Sequence, residues 1–257
     1  MRIDVNAFVG EYPFRRIEAA DSAGLLAAMA RVGIDQAWVS DVAAMYWKDP
    51  TEGNERLFEL GQEHPALRPV PAVHPGLAHW GETLANAVRM RAPCVRVDAT
   101  FYGVSLLGAE MAAVVARATD HGLPIMMAAR LEDGRQRHPH DATPDLGPAA
   151  IRGLIRSHPA VRLLITHADR DLIEQVHFGA TPEESSRIWW DICWLWGPPM
   201  DDFDHLVRTV GADRFCFGSG MPLRIPESAV AKLELLRCSD ADRARIDSGN
   251  AALLAFS

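Results

Sequence analysis

The sequence is poor in cysteine and has no excess of basic residues. Its 257 residues include four cysteines, 26 basic residues and 34 acidic residues, for a formal net charge of −8. No two cysteines form a CxxC pair, so the spacing gives poor support for disulfides or a zinc site. Binding to nucleic acids or anionic membranes needs a basic surface that neutralises phosphate. We therefore expect no nucleic-acid and no membrane partner.

Long apolar runs are missing as well. No run approaches the roughly 18 apolar residues of a membrane-spanning helix. The first residues, MRIDVNAFVGEYPF, lack the continuous apolar core of a secretory signal. The widely spaced cysteines are typical of buried free thiols. We expect a cytoplasmic protein.

Short β-branched or apolar runs alternate with helical stretches such as SAGLLAAMARVG and GAEMAAVVARATDHG. Regular strand–helix alternation predicts a parallel sheet, and eight units in about 250 residues favour closure into a barrel. We predict the α/β class and a (β/α)8 TIM barrel forming one domain over residues 1–257. The predicted strands are Arg2–Val5, Gln36–Val39, Arg68–Val73, Cys94–Asp98, Ile125–Ala129, Leu163–Thr166, Ile188–Ile192 and Arg214–Phe217.

Six segments, in order along almost the whole chain, carry a family resemblance. They are RIDVNAF, VGIDQAWVS, NERLFELGQEHPALRPVPAVHPG, VRLLITHAD, VGADRFCFGSGMP and DSGNAALLAF. Together they resemble the amidohydrolase superfamily, in particular its branch of small barrels that includes decarboxylases and lactonases. The resemblance implies a barrel enzyme whose site lies at the carboxyl ends of the strands.

The metal-binding motifs that the resemblance implies are degenerate here. Asn6-Ala7-Phe8 stands where the family has His-x-His, and Gly220 stands where it has an aspartate after the eighth strand. The fifth strand, PIMMAAR, carries no histidine, and His167 is the one metal-ligand position that is kept. A catalytic zinc normally needs about three protein ligands. We therefore expect no cofactor, with a divalent metal such as zinc as the less favoured alternative.

Polar side chains follow several predicted strands, on the face where barrels place their active sites. Arg96 and Asp98 alternate with apolar residues, which places both on one face of the strand. A long irregular stretch from Leu131 to Pro148 follows strand five. The catalytic candidates are His167, Asp98, Arg130, Glu132 and Asp133, and the substrate-binding candidates are Asn6, Arg15, Arg96, Arg135, His138 and Trp194.

Each candidate also has a purely structural explanation. Arg96 and Asp98 could form a buried ion pair that holds the barrel layers together. The charged stretch from Arg130 to His138 could be a solvated loop. His167 could be a neutral core histidine satisfied by hydrogen bonds, or a general acid or base near neutral pH.

Three functional hypotheses follow. The leading one is a hydrolase of a lactone, ester or amide in a small carboxylate-bearing substrate, acting without the family's zinc. Arg96 or Arg130 would polarise the carbonyl, and His167 or a nearby acid would activate water. The second is a carbon–carbon lyase such as a decarboxylase. The third is a ligand-binding protein without catalysis. By resemblance, a homo-oligomer is the expected assembly.

Overall fold

The computed structural model describes residues 1–255, and eight parallel strands form its centre. Each predicted strand is present, and all but Leu163–Thr166 have shifted ends. The observed strands are β1 (Ile3–Val9), β2 (Gln36–Asp41), β3 (Leu67–Pro69), β4 (Val95–Arg96), β5 (Ile125–Ala128), β6 (Leu163–Thr166), β7 (Ile188–Asp191) and β8 (Phe215–Cys216).

The largest differences from prediction lie in β1 and β3. Strand β1 runs on to Val9 because Ala7 and Phe8 pair with β2. Strand β3 is three residues long instead of six. Its continuation contains Pro71, which has no N–H to donate to a neighbouring strand. The chain nevertheless continues alongside β4, since the carbonyl of Pro71 accepts from Arg96 N at 2.9 Å.

The strands close into a barrel. Pairs run from β1 to β3 and from β4 to β8. Backbone hydrogen bonds join the two groups, from Val73 N to Arg96 O (2.8 Å) on one side and from Val5 N to Phe217 O (2.9 Å) on the other. The predicted α/β barrel is thereby confirmed.

Helices alternate with the strands around the outside. The helix of SAGLLAAMARVG begins after Asp21, whose carboxylate accepts from Gly24 N, and ends at Gly33 with φ +72°. The stretch GAEMAAVVARATDHG likewise contains a left-handed glycine just after its helix, Gly122 with φ +70°. The helices are α1 (Ser22–Val32), α2 (Thr51–Glu63), α3 (Trp80–Arg89), α4 (Ala109–Asp120), α5 (Pro148–Ser157), α6 (Arg170–His177), α7 (Pro182–Ser185), α8 (Asp202–Thr209), α9 (Pro226–Leu235), α10 (Asp240–Ala244) and α11 (Asn250–Leu254).

The barrel interior is filled at both ends. Trp38, Met126 and Leu164 belong to a buried cluster that α11 covers through Leu254. At the opposite end, where strands finish, a cluster around Phe8 closes the mouth of the barrel. The site described below therefore lies inside a covered barrel. In the described chain, residues 1–255, no helix is both long enough and apolar enough to cross a bilayer.

Candidate active site

The centre of the site is the side-chain amide of Asn6, on β1. Its Oδ1 accepts from Nη2 of Arg96 at 3.3 Å, and its Nδ2 donates to Oδ2 of Asp191 at 2.7 Å. The same Nδ2 lies 3.3 Å from Nδ1 of His167 and 3.8 Å from Sγ of Cys193. These groups are fully buried or nearly so. One neutral amide therefore contacts one polar atom from each of four surrounding side chains.

Three of these neighbours could act as metal ligands. His167, Asp191 and Cys193 each offer a ligand atom, and the three atoms lie within 4.8 Å of one another. The expectation that no cofactor binds is therefore not supported. Nδ2 of Asn6, however, already contacts an atom of each member of the trio. The site therefore does not fit a cation. An ion bound by His167, Asp191 and Cys193 would lie against the N–H groups of the Asn6 amide, which carry partial positive charge.

His167 is held in an unusual conformation directly after β6. Its φ of +57° is left-handed, and its backbone N–H donates to Oδ1 of Asp191 at 2.9 Å. Burial first, then the nearby charges of Arg224, Arg96 and Arg130, hold the pKa of the imidazole well below its usual value. His167 is therefore neutral near pH 7.

Two arginines flank the indole of Trp194, just past β7. The guanidinium carbon of Arg224 lies 4.0 Å from the ring centroid, and that of Arg130 lies 5.5 Å from it. Arg130 is neutralised by Asp169 at 2.7 Å and Asp145 at 3.2 Å. Within residues 1–255, no carboxylate lies within 4.0 Å of the guanidinium of Arg224. Arg224 is thus a cation without an anionic partner.

A cavity of about 550 Å³ reaches this arginine from the surface. Arg224, Trp194, Cys193 and Lys232 are among its lining residues. Nζ of Lys232, on α9, donates to the carbonyls of Ile192 (2.7 Å) and Cys193 (2.9 Å). Burial lowers the pKa of Lys232 to about 8. The cavity wall therefore combines an unpaired guanidinium, an indole and an amine whose pKa is about 8.

The structure brings five of the sequence candidates into this region. Asn6 and His167 are in direct contact, and Arg96 joins them through Asn6. Arg130 and Trp194 are stacked nearby. Asn6, Arg96 and His167 are at most 1% exposed, so they lie behind the cavity, not on its surface.

Arg96 and Asp98 share an interior face of the barrel, and Nη1 of Arg96 lies 3.4 Å from Oδ2 of Asp98. Asp98 also accepts from Ala128 N at 2.7 Å. Nε of Arg96 donates to Ser40 Oγ at 2.8 Å. The geometry matches the buried-ion-pair interpretation. It engages both carboxylate oxygens of Asp98, which leaves this residue poorly placed to activate water.

The candidates on the loop after β5 are mostly paired with one another or with the loop after β1. Glu132 Oε1 accepts from Nη2 of Arg15 at 2.9 Å. Asp133 binds Arg135 through two hydrogen bonds of 2.9 Å, and the Arg135 side chain is 85% exposed. Although Asp133 and Arg135 line the cavity, their charges are already matched.

His138 is not near His167. Its ring stacks on Phe14 at a centroid distance of 5.2 Å and 18° between planes. Phe14 also meets Tyr46 edge-on at 5.4 Å. His138 therefore belongs to an aromatic cover over the barrel mouth, together with the salt bridge of Arg15 and Glu132.

The sequence analysis missed three residues of the site. Arg224 and Lys232 were not among the candidates, because neither follows a strand directly. Cys193 was interpreted as a buried thiol, which it is, with a pKa raised well above its usual value by burial. The only sequence signal for Arg224 is its place four residues after Gly220, in the loop after the last strand.

Asp4 is a buried carboxyl group on β1 that binds the backbone next to the site. It should make the free energy of unfolding depend on pH. It accepts from Asn6 N at 2.9 Å and from Ser219 N at 3.0 Å. Burial raises its pKa from 3.8 to about 7, against the lowering effect of the Ser219 hydroxyl. Because the folded pKa lies above the unfolded one, the stabilisation is complete below about pH 4 and is lost as the pH rises to about 7.

We expect the free energy of unfolding to fall between pH 4 and pH 7 by roughly 1 to 3 kcal/mol more in the wild type than in Asp4→Asn. Urea denaturation at several pH values measures this difference. The exposed Asp120→Asn is the matched control and should follow the wild type. Parallel curves for wild type and Asp4→Asn would contradict the raised pKa.

Comparison with known proteins is consistent with this description. The family model described as Amidohydrolase matches residues 8–254. No curated protein sequence matches the chain. The solved 2,6-dihydroxybenzoate decarboxylase from Rhizobium is 13% identical with a TM-score of 0.76, and the match covers 98% of this chain and 98% of that one.

Two further solved structures cover a similar share. A dihydroxybenzoic acid decarboxylase from Polaromonas, solved with bound manganese and the inhibitor 2-nitroresorcinol, is 15% identical with a TM-score of 0.74, over 98% of this chain and 96% of that one. A putative 2-pyrone-4,6-dicarboxylic acid hydrolase from Pseudomonas putida is 20% identical with a TM-score of 0.68, over 98% and 96%. At these identities the structures show a common fold. The family match over nearly the whole length identifies the chain as a member of the amidohydrolase family.

Proposed function

We propose that the protein is a hydrolase that opens a lactone, ester or amide in a small carboxylate-bearing molecule. The observation that carries this proposal is Arg224. Its guanidinium stacks on Trp194 at 4.0 Å, on the wall of the cavity, and has no carboxylate within 4.0 Å in the described chain. A guanidinium presents paired donors that match a planar carboxylate. The ligand would supply the anion that the protein does not.

Lys232 is the candidate general base. Two of its N–H groups face the carbonyls of Ile192 and Cys193. When Nζ is neutral, these two bonds use both of its hydrogens and leave the lone pair free for a water molecule. Its pKa of about 8 lies in the range in which a lysine base works near neutral pH.

The proposed reaction balances without an added reactant. Water attacks the carbonyl carbon, and its proton passes to Nζ of Lys232. The carbon–oxygen or carbon–nitrogen bond breaks, and the leaving group takes that proton from Nζ. The products are a carboxylic acid and an alcohol or amine.

Decarboxylation is the second candidate, because two of the three solved relatives above are decarboxylases by description. The described substrates of all three relatives carry a carboxylate. A guanidinium that binds the ligand's carboxylate, however, stabilises the ground state of that group and does not favour its loss as carbon dioxide. Arg224 therefore favours hydrolysis at a second functional group of the ligand.

Turnover assays distinguish these possibilities. Carboxylates that raise the melting temperature identify ligands. Lactones and esters built on them are then assayed by proton release, and amides by release of the amine, because amide hydrolysis near neutral pH releases no net proton. We expect hydrolysis without carbon dioxide, and unchanged rates after dialysis against a chelator. Carbon dioxide release would establish a lyase, and binding of every ligand without turnover would establish a binding protein. Either result would contradict the proposal.

A further inference from the structure

The orientation of the Asn6 amide is fixed by two partners of opposite character. Nη2 of Arg96 can only donate, and it lies 3.3 Å from the amide oxygen. Oδ2 of Asp191 accepts, and it lies 2.7 Å from the amide nitrogen. A flipped amide would place two donors together and two acceptors together. The amide nitrogen is therefore the atom that faces His167.

This nitrogen determines where the imidazole proton lies. Nδ1 of His167 is 3.3 Å from Nδ2 of Asn6 and 3.2 Å from Oγ1 of Thr166. An amide nitrogen only donates, whereas a hydroxyl can donate or accept. The hydroxyl of Thr166 lies within donor distance of the carbonyl of Met127 (3.4 Å), so the amide is the neighbour that decides. An unprotonated Nδ1 accepts from the amide, whereas a proton there would oppose the amide hydrogen. In a neutral ring the proton then lies on Nε2.

We infer that the Asn6 amide takes the position of a cation among His167, Asp191 and Cys193, and thereby fixes His167 as an Nε2–H donor to an oxyanion of a bound ligand. The structure points to such a ligand independently. Nε2 is buried and has no hydrogen-bond partner in residues 1–255. A buried donor without a partner costs free energy, which a ligand oxygen would recover.

Gly220 lies beside both Nε2 of His167 and the side chain of Arg224. A Cβ built on this residue would be 3.5 Å from Nε2 of His167 and 3.4 Å from Cδ of Arg224. Because glycine has no Cβ, no side chain separates these two groups at this residue. A ligand oxygen bound between them, in van der Waals contact with Gly220, would accept from Nε2–H while Arg224 binds the negative charge. The ligand class rests on the proposed function, but the tautomer and the exclusion of a cation do not.

Nuclear magnetic resonance tests the tautomer on the free protein. In a long-range proton–nitrogen spectrum of the uniformly labelled protein, His167 is the signal that disappears in His167→Gln. We expect the Nε2–H pattern in the wild type and in Thr166→Val, which keeps the amide contact. A proton on Nδ1 in the wild type, or a change of tautomer in Thr166→Val, would overturn the inference. Addition of sodium benzoate should shift the Nε2–H proton, and an unchanged signal at saturation would overturn the ligand role.

Cobalt binding tests the displaced cation. We expect no thiolate-to-cobalt charge-transfer band when Co²⁺ is added to the wild type. Asn6→Asp replaces the amide by a fourth ligand, and it should bind about one Co²⁺ per chain with that band. The double variant Asn6→Asp/Cys193→Ser should lose the band. A band in the wild type would show that Asn6 moves aside for a metal and would overturn the inference. Turnover is not part of either test, so failure of the proposed function leaves both results interpretable.

Discussion

Replacement of Arg224 by methionine is expected to weaken binding of carboxylate ligands by about 100-fold. Hydrogen bonds from a charged donor contribute about 1.5 to 3 kcal/mol, and loss of a partly buried ionic contact with a ligand costs about 2 to 5 kcal/mol. Isothermal titration with a carboxylate found by melting-temperature screening measures the change.

The same substitution should leave the fold stable. The guanidinium of Arg224 has no acidic partner in the described chain, and its Nε is buried without a hydrogen bond. Removal of such a charge relieves a desolvation cost, while methionine keeps apolar contact with Trp194. We therefore expect the melting temperature of the ligand-free protein to change little.

Arg208→Met is the matched control. Arg208 lies on α8, is 62% exposed and pairs with Asp204. Because a surface ion pair contributes little, its loss should not alter carboxylate affinity. An equal loss of affinity in both variants would indicate a general effect of net charge, and unchanged affinity in Arg224→Met would remove the main support for the proposed function.

The fold could be predicted from the sequence because it depends on repeated local signals. Eight apolar runs and the helical stretches between them specify strand–helix units, and the structure contains all eight strands. The lengths of β3 and β4 were less predictable. Pro69 and Pro71 interrupt the ladder of hydrogen bonds, although the chain keeps its path along the barrel.

The sequence identified those residues of the site that lie at or just after the end of a predicted strand. His167 and Asn6 were identified in this way, and they are in contact. The pairing of Asp133 with Arg135 and of Glu132 with Arg15 could not be predicted, because loop conformation decides it. Lys232 is a helix residue that reaches the end of β7 from outside the barrel. No periodicity in the sequence indicates such a contact.

The second large effect is expected at Lys232. Lys232→Met should lower kcat by about 100-fold to 10,000-fold, the usual contribution of a positioned general base. Wild-type activity should rise with pH to a plateau above about 8, because only the neutral amine can take a proton from water. This limb of the pH profile should be absent from the residual activity of Lys232→Met.

The composition of the chain makes this prediction unusually easy to test. Lys48 and Lys232 are its two lysines, and Lys48 is exposed. Lysine labelled with carbon-13 at Cε would therefore give one resonance for each, and Lys48→Met assigns them. The Lys232 resonance should titrate near pH 8, because burial disfavours the ammonium form.

Lys48→Met also serves as the activity control and should keep the wild-type kcat. Lys232→Arg separates the two roles of the side chain, because arginine can still donate to the carbonyls of Ile192 and Cys193 but stays protonated at any accessible pH. If Lys232 only holds the end of β7, Lys232→Arg should be nearly as active as the wild type. If Lys232 is the base, both variants should be inactive while only Lys232→Met leaves the two buried carbonyls without a donor and loses stability.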